Sequence, residues 1–285
     1  MLHIVIPVHN RREVTCRCLG RMRLVLPPVA TVVVVDDGST DGTSDAVCKQ
    51  FPWVHLLRGD GNLWWSAGVN TGIRYALENG ASAVMTMNDD TLVTDTFFPG
   101  MLAQHRTNPT ALLGALELDA ESGEIFNGGY RINWWTGSRR KLWRREKNMT
   151  TGLVPVTHLN GRGLLVPAEV FHKIGLFDEE HLPQRGADED FAHRAARAGF
   201  GLYQNYDAPL LVFPDMNPAH PLRRAYNLKG YWDNLVGIRG DANLGFFTTY
   251  ALKNCPLACL PSFLAIGYAR RIGGYWLHPP SSSTK

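Results

Sequence analysis

Four times in its first 90 residues the chain runs through a short apolar stretch and then stops on a polar cluster. Thr31-Val32-Val33-Val34-Val35 runs into Asp36-Asp37-Gly38-Ser39-Thr40-Asp41-Gly42, and Ala83-Val84-Met85-Thr86-Met87 runs into Asn88-Asp89-Asp90. His3 to Ile6 is closed by Pro7-Val8-His9-Asn10, and Trp53 to Leu57 by Gly59-Asp60-Gly61-Asn62. Short runs rich in β-branched residues predict strands, and the fully apolar one is of the kind buried on both faces of a parallel sheet. Val14, Cys18, Leu19 and Met22 recur at helical spacing between Arg11 and Leu26, and Pro27-Pro28 ends that helix. A short helix after Gly42 and another over about 67–79 complete a βαβαβαβ order. That order predicts an α/β fold, a parallel sheet with helices on both faces. Ligands bind beyond the carboxyl ends of such strands, so the four polar clusters converge on one rim.

The rim chemistry narrows the ligand. Two adjacent carboxylates, Asp89 and Asp90, suit a hard divalent cation that shares its shell with phosphates, although a turn with an Asp helix cap uses the same residues. The first βα turn, Pro-Val-His-Asn, is no GxGxxG, and GxxxxGK[ST], HExxH and GxSxG are all missing. Dinucleotide cofactors, P-loop chemistry, zinc proteolysis and serine hydrolysis are therefore disfavoured. A net charge of +3 gives no argument for nucleic acid, and 45% hydrophobic with 19% charged residues is the balance of a globular core. Five cysteines without CxxC spacing read as reduced thiols in a cytoplasmic protein. The N-terminus enters a strand directly, with no signal-peptide pattern, and no apolar run reaches membrane-span length.

The second half differs. A helix over Phe97 to Arg106 and a strand over Ala111 to Leu116 precede a Gly-, Trp- and Arg-rich insertion from Asn127 to Asn148. It is expected to be irregular, with Trp134-Trp135 and the basic run Arg139 to Arg145 either gripping a sugar and a phosphate, touching a membrane, or simply solvated. A helix over Val170 to Ile174 ends at Gly175. A further helix follows Gly186, with Asp188, Glu189 and Asp190 in its first turn. Acids suit a helix N-terminus, and Asp190 with Arg194 forms an i,i+4 pair worth a few tenths of a kcal/mol. Neither explains three like charges in one turn.

These residues resemble an inverting GT-A glycosyltransferase of family two, of the bacterial rhamnosyltransferase-like branch, over about residues 3–240. The match rests on Ile-Val-Ile-Pro-Val-His-Asn at 4–10, Val-Asp-Asp-Gly-Ser-Thr-Asp at 35–41, Gly-Asp-Gly-Asn-Leu-Trp-Trp-Ser-Ala-Gly-Val-Asn at 59–70 and Met-Asn-Asp-Asp-Thr at 87–91. It continues through Asn-Gly-Arg-Gly-Leu-Leu-Val-Pro at 160–167, Gly-Leu-Phe-Asp-Glu at 175–179 and Gly-Ala-Asp-Glu-Asp-Phe at 186–191. The resemblance implies a GT-A fold: a Rossmann-like, mostly parallel sheet with helices on both faces. It implies that Pro7 and His9 flank a nucleotide base, Asp37 meets the base edge, Asp89 faces the ribose and Asp90 holds Mg²⁺ or Mn²⁺ on the diphosphate. Asn10, Asp60 and Asn62 from the rim clusters, with Trp64 and Arg162 from the matching motifs, complete the donor set. The base would be Asp188, favoured over Asp190, and His220 is a candidate second metal ligand less expected than a surface histidine.

The implied partners are a nucleoside-diphosphate sugar and a glycan or lipid-linked saccharide of bacterial surface polysaccharide synthesis. A homodimer stays open. Two other readings are weighed: a metal-dependent nucleotidyltransferase, which lacks its glycine-rich basic loop here, and a non-catalytic sugar-nucleotide-binding module. Domain organisation reads as a glycosyltransferase domain over 1–240, with a nucleotide half to about 115 and an acceptor half from 116, and a helical amphipathic tail over 241–285. In that tail Cys255 to Ala269 is apolar and followed by Arg270-Arg271 and Tyr275-Trp276. Such a segment is either an interfacial anchor at the inner face of the cell membrane or packs against protein.

Overall fold

The structure is a computed structural model describing residues 1–143, 151–213 and 227–277. The first half follows the expected order: β1 (Leu2–Val8), α1 (Arg12–Val25), β2 (Ala30–Asp36), α2 (Thr43–Gln50), β3 (His55–Arg58), α3 (Trp64–Glu78) and β4 (Ala83–Thr86). Strands β3, β2, β1 and β4 lie side by side and parallel. Alternate residues serve opposite cores, as a strand's period of two requires. Ile4, Ile6, Val32, Val34 and Met85 pack on one face with Leu19 and Met22 of α1, while Val5, Val33, Val35 and Val84 pack on the other with Val69 and Ile73 of α3.

The chain then runs through β5 (Thr91–Val93), α4 (Phe97–Thr107), β6 (Leu112–Asp119), β7 (Ile125–Asn127), β8 (Tyr130–Asn133), β9 (Ser138–Lys141), β10 (Leu153–Pro155) and β11 (Leu164–Pro167). It closes with α5 (Ala168–Ile174), α6 (Ala187–Arg197), β12 (Leu202–Val212), α7 (Leu228–Val236), α8 (Leu244–Asn254) and α9 (Leu260–Leu277). β11 inserts antiparallel between β4 and β6, and β12 pairs parallel with β6, so one sheet continues across the molecule. The loop before β11 and the N-terminus of α6 are thereby brought to the rim beyond β4.

The expected irregular insertion is instead, over its described part, an antiparallel hairpin of β8 and β9. Its turn residue Trp134 packs on His193 of α6, Tyr250 of α8 and Phe263 of α9. The hairpin is ordered by aromatics far downstream, which local pattern cannot show. Arg144 and Arg145 of the basic run, and His220, lie outside the described residues.

The tail packs against protein. Phe247, Tyr250, Ala251, Cys255, Cys259 and Phe263 form a buried cluster with Ile132 and Trp134 of the hairpin. Tyr275 is buried beside Tyr231 of α7, so it is no interfacial aromatic, and the side chain of Trp276 lies outside the described residues. At Gly267 of α9 an added Cβ would stand 2.0 Å from Phe247, so the two helices cross in near contact there. Among the described residues no helix is long and apolar enough to cross a membrane. All five cysteines are free thiols.

Candidate active site

A cavity of about 730 Å³ opens on the rim beyond β1, β2 and β4. Pro7, His9, Asn10, Asp37, Trp64, Asp89, Asp90, Arg162 and Asp188, all expected there, line it. Asp60 and Asn62 do not. Both are exposed, and the Asp60 carboxylate accepts the Asn62 amide at 2.9 Å, so this pair builds the turn after β3.

Asp37 is buried, and its carboxylate accepts the backbone amides of Gly61, Leu63 and Trp64 at 2.8, 3.0 and 3.2 Å. A carboxylate has about four acceptor directions, so little of Asp37 is left for a base edge. Its main work in the fold is to clamp the 61–64 loop. Trp64 opens α3 with φ +56°, a left-handed conformation that is strained for a bulky residue, and this clamp holds it there. The imidazole of His9 donates from Nδ1 to the Asp37 carbonyl and accepts at Nε2 from Asn10, which sets its tautomer.

Asp89 and Asp90 follow β4 and are both buried. Asp89 meets Arg11 Nε at 3.3 Å and accepts from the Thr15 hydroxyl at 3.0 Å. Burial pushes Asp89 up to about 6; Arg11 opposes the rise and Asp90 adds to it. Asp90 faces Arg11 at 3.4 Å and Arg162 at 3.7 Å, yet its Oδ1 is a buried atom with no hydrogen-bond partner. An orphaned carboxylate oxygen is costly and is the donor type that Mg²⁺ or Mn²⁺ takes. Among the described residues no group of three or more His, Cys, Asp or Glu is arranged to hold a metal ion by itself, so phosphates and water would fill the rest of such a shell.

Three participants escape the sequence pattern. Arg11 follows the β1 cluster directly. Glu117, buried on β6, accepts from Arg162 at 2.9 Å, Asn160 at 3.0 Å and Asn127 at 2.8 Å, and so aims Arg162 at Asp90. Glu189 lines the cavity and pairs with Arg139 of β9 at 2.7 Å. An acid inside the apolar run Leu112 to Leu118 was the readable signal for Glu117.

The crowded first turn of α6 now resolves. Each acid points to its own partner. Asp188 turns into the cavity, accepting the Gly161 amide at 3.0 Å on Oδ2 and the Glu189 amide at 2.9 Å on Oδ1. Asp190 is fully buried on the far side, bound by Arg194 at 2.9 Å, Asn254 at 2.9 Å and Lys253 at 3.4 Å. Loss of hydration, then the charge of Glu189, pushes Asp188 up to about 6 against the two amides. It is therefore ionised at neutral pH and able to accept a proton.

Residues 3–166 match the model of the family "Glycosyl transferase family 2". The chain is 27% identical over 205 residues to an N-acetylglucosaminyl-diphospho-decaprenol L-rhamnosyltransferase of Mycobacterium tuberculosis, covering 65% of this chain and 66% of that one. It is 24% identical over 193 residues to the dTDP-rhamnosyl transferase RfbF of Shigella flexneri, covering 67% of this chain and 60% of that one. The chain thus spans just under two thirds of the first relative's length and three fifths of the second's. A mannosyltransferase of Pyrobaculum calidifontis, solved with GDP-Man and Mn²⁺, superimposes with a TM-score of 0.63 at 16% identity, over 97% of this chain and 73% of that one.

Proposed function

The chain belongs to glycosyl transferase family 2 and has the GT-A fold, and from that premise we propose that it is an inverting glycosyltransferase. The donor is a nucleoside-diphosphate sugar, with a deoxyhexose such as rhamnose favoured by the names of the relatives. The acceptor is a hydroxyl of a glycan or lipid-linked saccharide in bacterial surface polysaccharide synthesis. Residues to about 115, joined by Arg162, hold the donor, and the half from 116 to 240 receives the saccharide of the acceptor. The observation that carries this reading is Asp188: a carboxylate half-buried in the same cavity as the Asp89/Asp90 pair, and fixed by two backbone amides.

In the reaction the acceptor hydroxyl gives its proton to Asp188 while its oxygen attacks the anomeric carbon. The bond from that carbon to the diphosphate breaks, and a single displacement inverts the centre. Asp90, through an Oδ1 that accepts no hydrogen bond, would hold Mg²⁺ or Mn²⁺, which supplies charge stabilisation to the departing diphosphate. Arg11 and Arg162 add two guanidiniums beside the same carboxylates. A general base contributes about 10²- to 10⁴-fold.

Peripheral membrane contact belongs to the same proposal, through only part of the expected segment. Leu252, Leu257, Arg270 and Ile272 are exposed on the tail, whereas Phe247 and Phe263 are buried. Co-sedimentation with anionic liposomes tests it, and protein left wholly in the supernatant refutes it. The activity itself is tested by release of nucleoside diphosphate from donor in the presence of a saccharide acceptor. Binding of donor without any release would leave a sugar-nucleotide-binding module.

A further inference from the structure

A second cavity of about 400 Å³ adjoins the first and shares Arg185, Gly186 and Glu189 with it. Its walls are the hairpin, the start of α6, and helices α8 and α9. Four guanidiniums line it, those of Arg139, Arg185, Arg270 and Arg271, against the carboxylates of Glu189 and Asp241. Both carboxylates are already engaged, Glu189 with Arg139 and Asp241 with Arg185, each at 2.7 Å. Among the described residues no carboxylate pairs with Arg270 or Arg271.

Arg271 is held in place without being neutralised. Its guanidinium lies over the Phe247 ring at 3.7 Å and donates to the Gly267 carbonyl at 3.4 Å. Its Nε is buried with no hydrogen-bond partner, and so is the Nε of Arg185. Burial, then the neighbouring Arg139, pushes Arg271 down to about 10, as expected for a cation whose surroundings do not balance it. Phe246, Phe247, Tyr250 and Phe263 supply an aromatic floor of the sort that sugars and prenyl chains lie on. Two guanidiniums on the wall of one cavity, neither paired with a carboxylate among the described residues, match a dianionic phosphate better than any neutral group.

We propose that this cavity is an acceptor subsite that binds a phosphate or diphosphate attached to the acceptor, gripped by Arg270 and Arg271. The idea rests on the glycosyltransferase reading, because the shared edge at Gly186 and Glu189 sets the cavity beside Asp188, where the acceptor hydroxyl must arrive. The donor diphosphate belongs at Asp90 in the other cavity, so the two anions do not compete.

The test is calorimetric binding of geranyl diphosphate, and separately of inorganic pyrophosphate, to the full chain with the donor cavity saturated by nucleoside diphosphate and Mg²⁺. Geranyl diphosphate should bind and geraniol should not. R271Q and R270Q should each weaken it about tenfold or more, the loss of one charge-assisted contact, while R271K keeps part of the affinity. Arg270 is exposed, so R270Q serves even if R271Q lowers the melting temperature. Equal binding of pyrophosphate means the phosphates alone are read, and tighter binding of geranyl diphosphate adds the prenyl chain; both support the subsite. Displacement of geranyl diphosphate by the nucleoside diphosphate, or binding within twofold of wild type in both glutamine variants, overturns it. If the nucleoside diphosphate itself does not bind, the donor reading fails, and the arginine variants still decide the subsite.

Discussion

Asp188 and Asp190 sit two positions apart on α6, so the helix turns their side chains about 200° from each other. One enters the cavity and the other enters the seam with α8. Asp188→Asn keeps the shape and one of the two amide contacts but cannot take the acceptor proton. Donor affinity should stay near wild type while kcat falls by about two to four orders of magnitude, measured at saturating donor. Asp190→Asn should leave the chemistry of folded molecules alone and cost about 3 kcal/mol in denaturant unfolding, since Arg194 loses a fully buried partner. That far exceeds the few tenths expected of a surface i,i+4 pair. A dead Asp190→Asn enzyme beside an active Asp188→Asn would reverse the assignment. The raised carboxyls make a second prediction. Asp188 and Asp89, both near 6 in the fold and near 3.8 unfolded, bind protons more tightly when folded. Their ionisation therefore burdens the fold above pH 6, and the burden lifts as pH falls from 6 to 4. The melting temperature of Asp188→Asn, taken relative to wild type, should rise from pH 4 to pH 8, because only the wild type carries the cost of that ionisation. Activity should fall as pH drops through about 6.

At the scale of elements, the strands and helices up to β4 were legible because each carries its own period and ends on its own punctuation, as Pro27-Pro28 ends α1. The β8–β9 hairpin was not. Its order comes from Trp134 meeting Tyr250 and Phe263, more than 100 residues away, and a local reading sees only glycine, tryptophan and arginine. The tail was half legible: its apolar character was plain, but which face is buried depends on α6 and the hairpin. Gly267 tests that docking with a sign. In a free helix Gly→Ala is worth about 1 kcal/mol in favour of alanine. Here the added methyl would strike Phe247, so Gly267→Ala should lower the melting temperature, and a rise would mean that α8 and α9 do not pack as described.

Over the whole molecule, the rim was readable from four polar clusters, and nine of the eleven expected site residues line one cavity. The exceptions, Asp60 and Asn62, failed for a physical reason: a turn and a ligand site use the same residue types. Glu117 stayed hidden because β6 joins the rim only through the insertion of β11. The proposed metal dependence would be a property of the assembled rim. Excess EDTA should abolish turnover, Mn²⁺ or Mg²⁺ should restore it, and Asp90→Asn should cut donor binding; full activity in chelator would leave Arg11 and Arg162 as the sole diphosphate contacts. A last consequence follows from how Asp37 and Asp188 are held. Their partners are main-chain amides, at Gly61, Leu63 and Trp64 for one, and at Gly161 and Glu189 for the other. A side-chain partner disappears with one codon change, whereas a peptide N–H disappears only when proline arrives. The placement of both carboxylates is thus insulated from most mutational drift, and descendants of this chain can change the side chains around the cavity while the frame that aims Asp188 stays where it is.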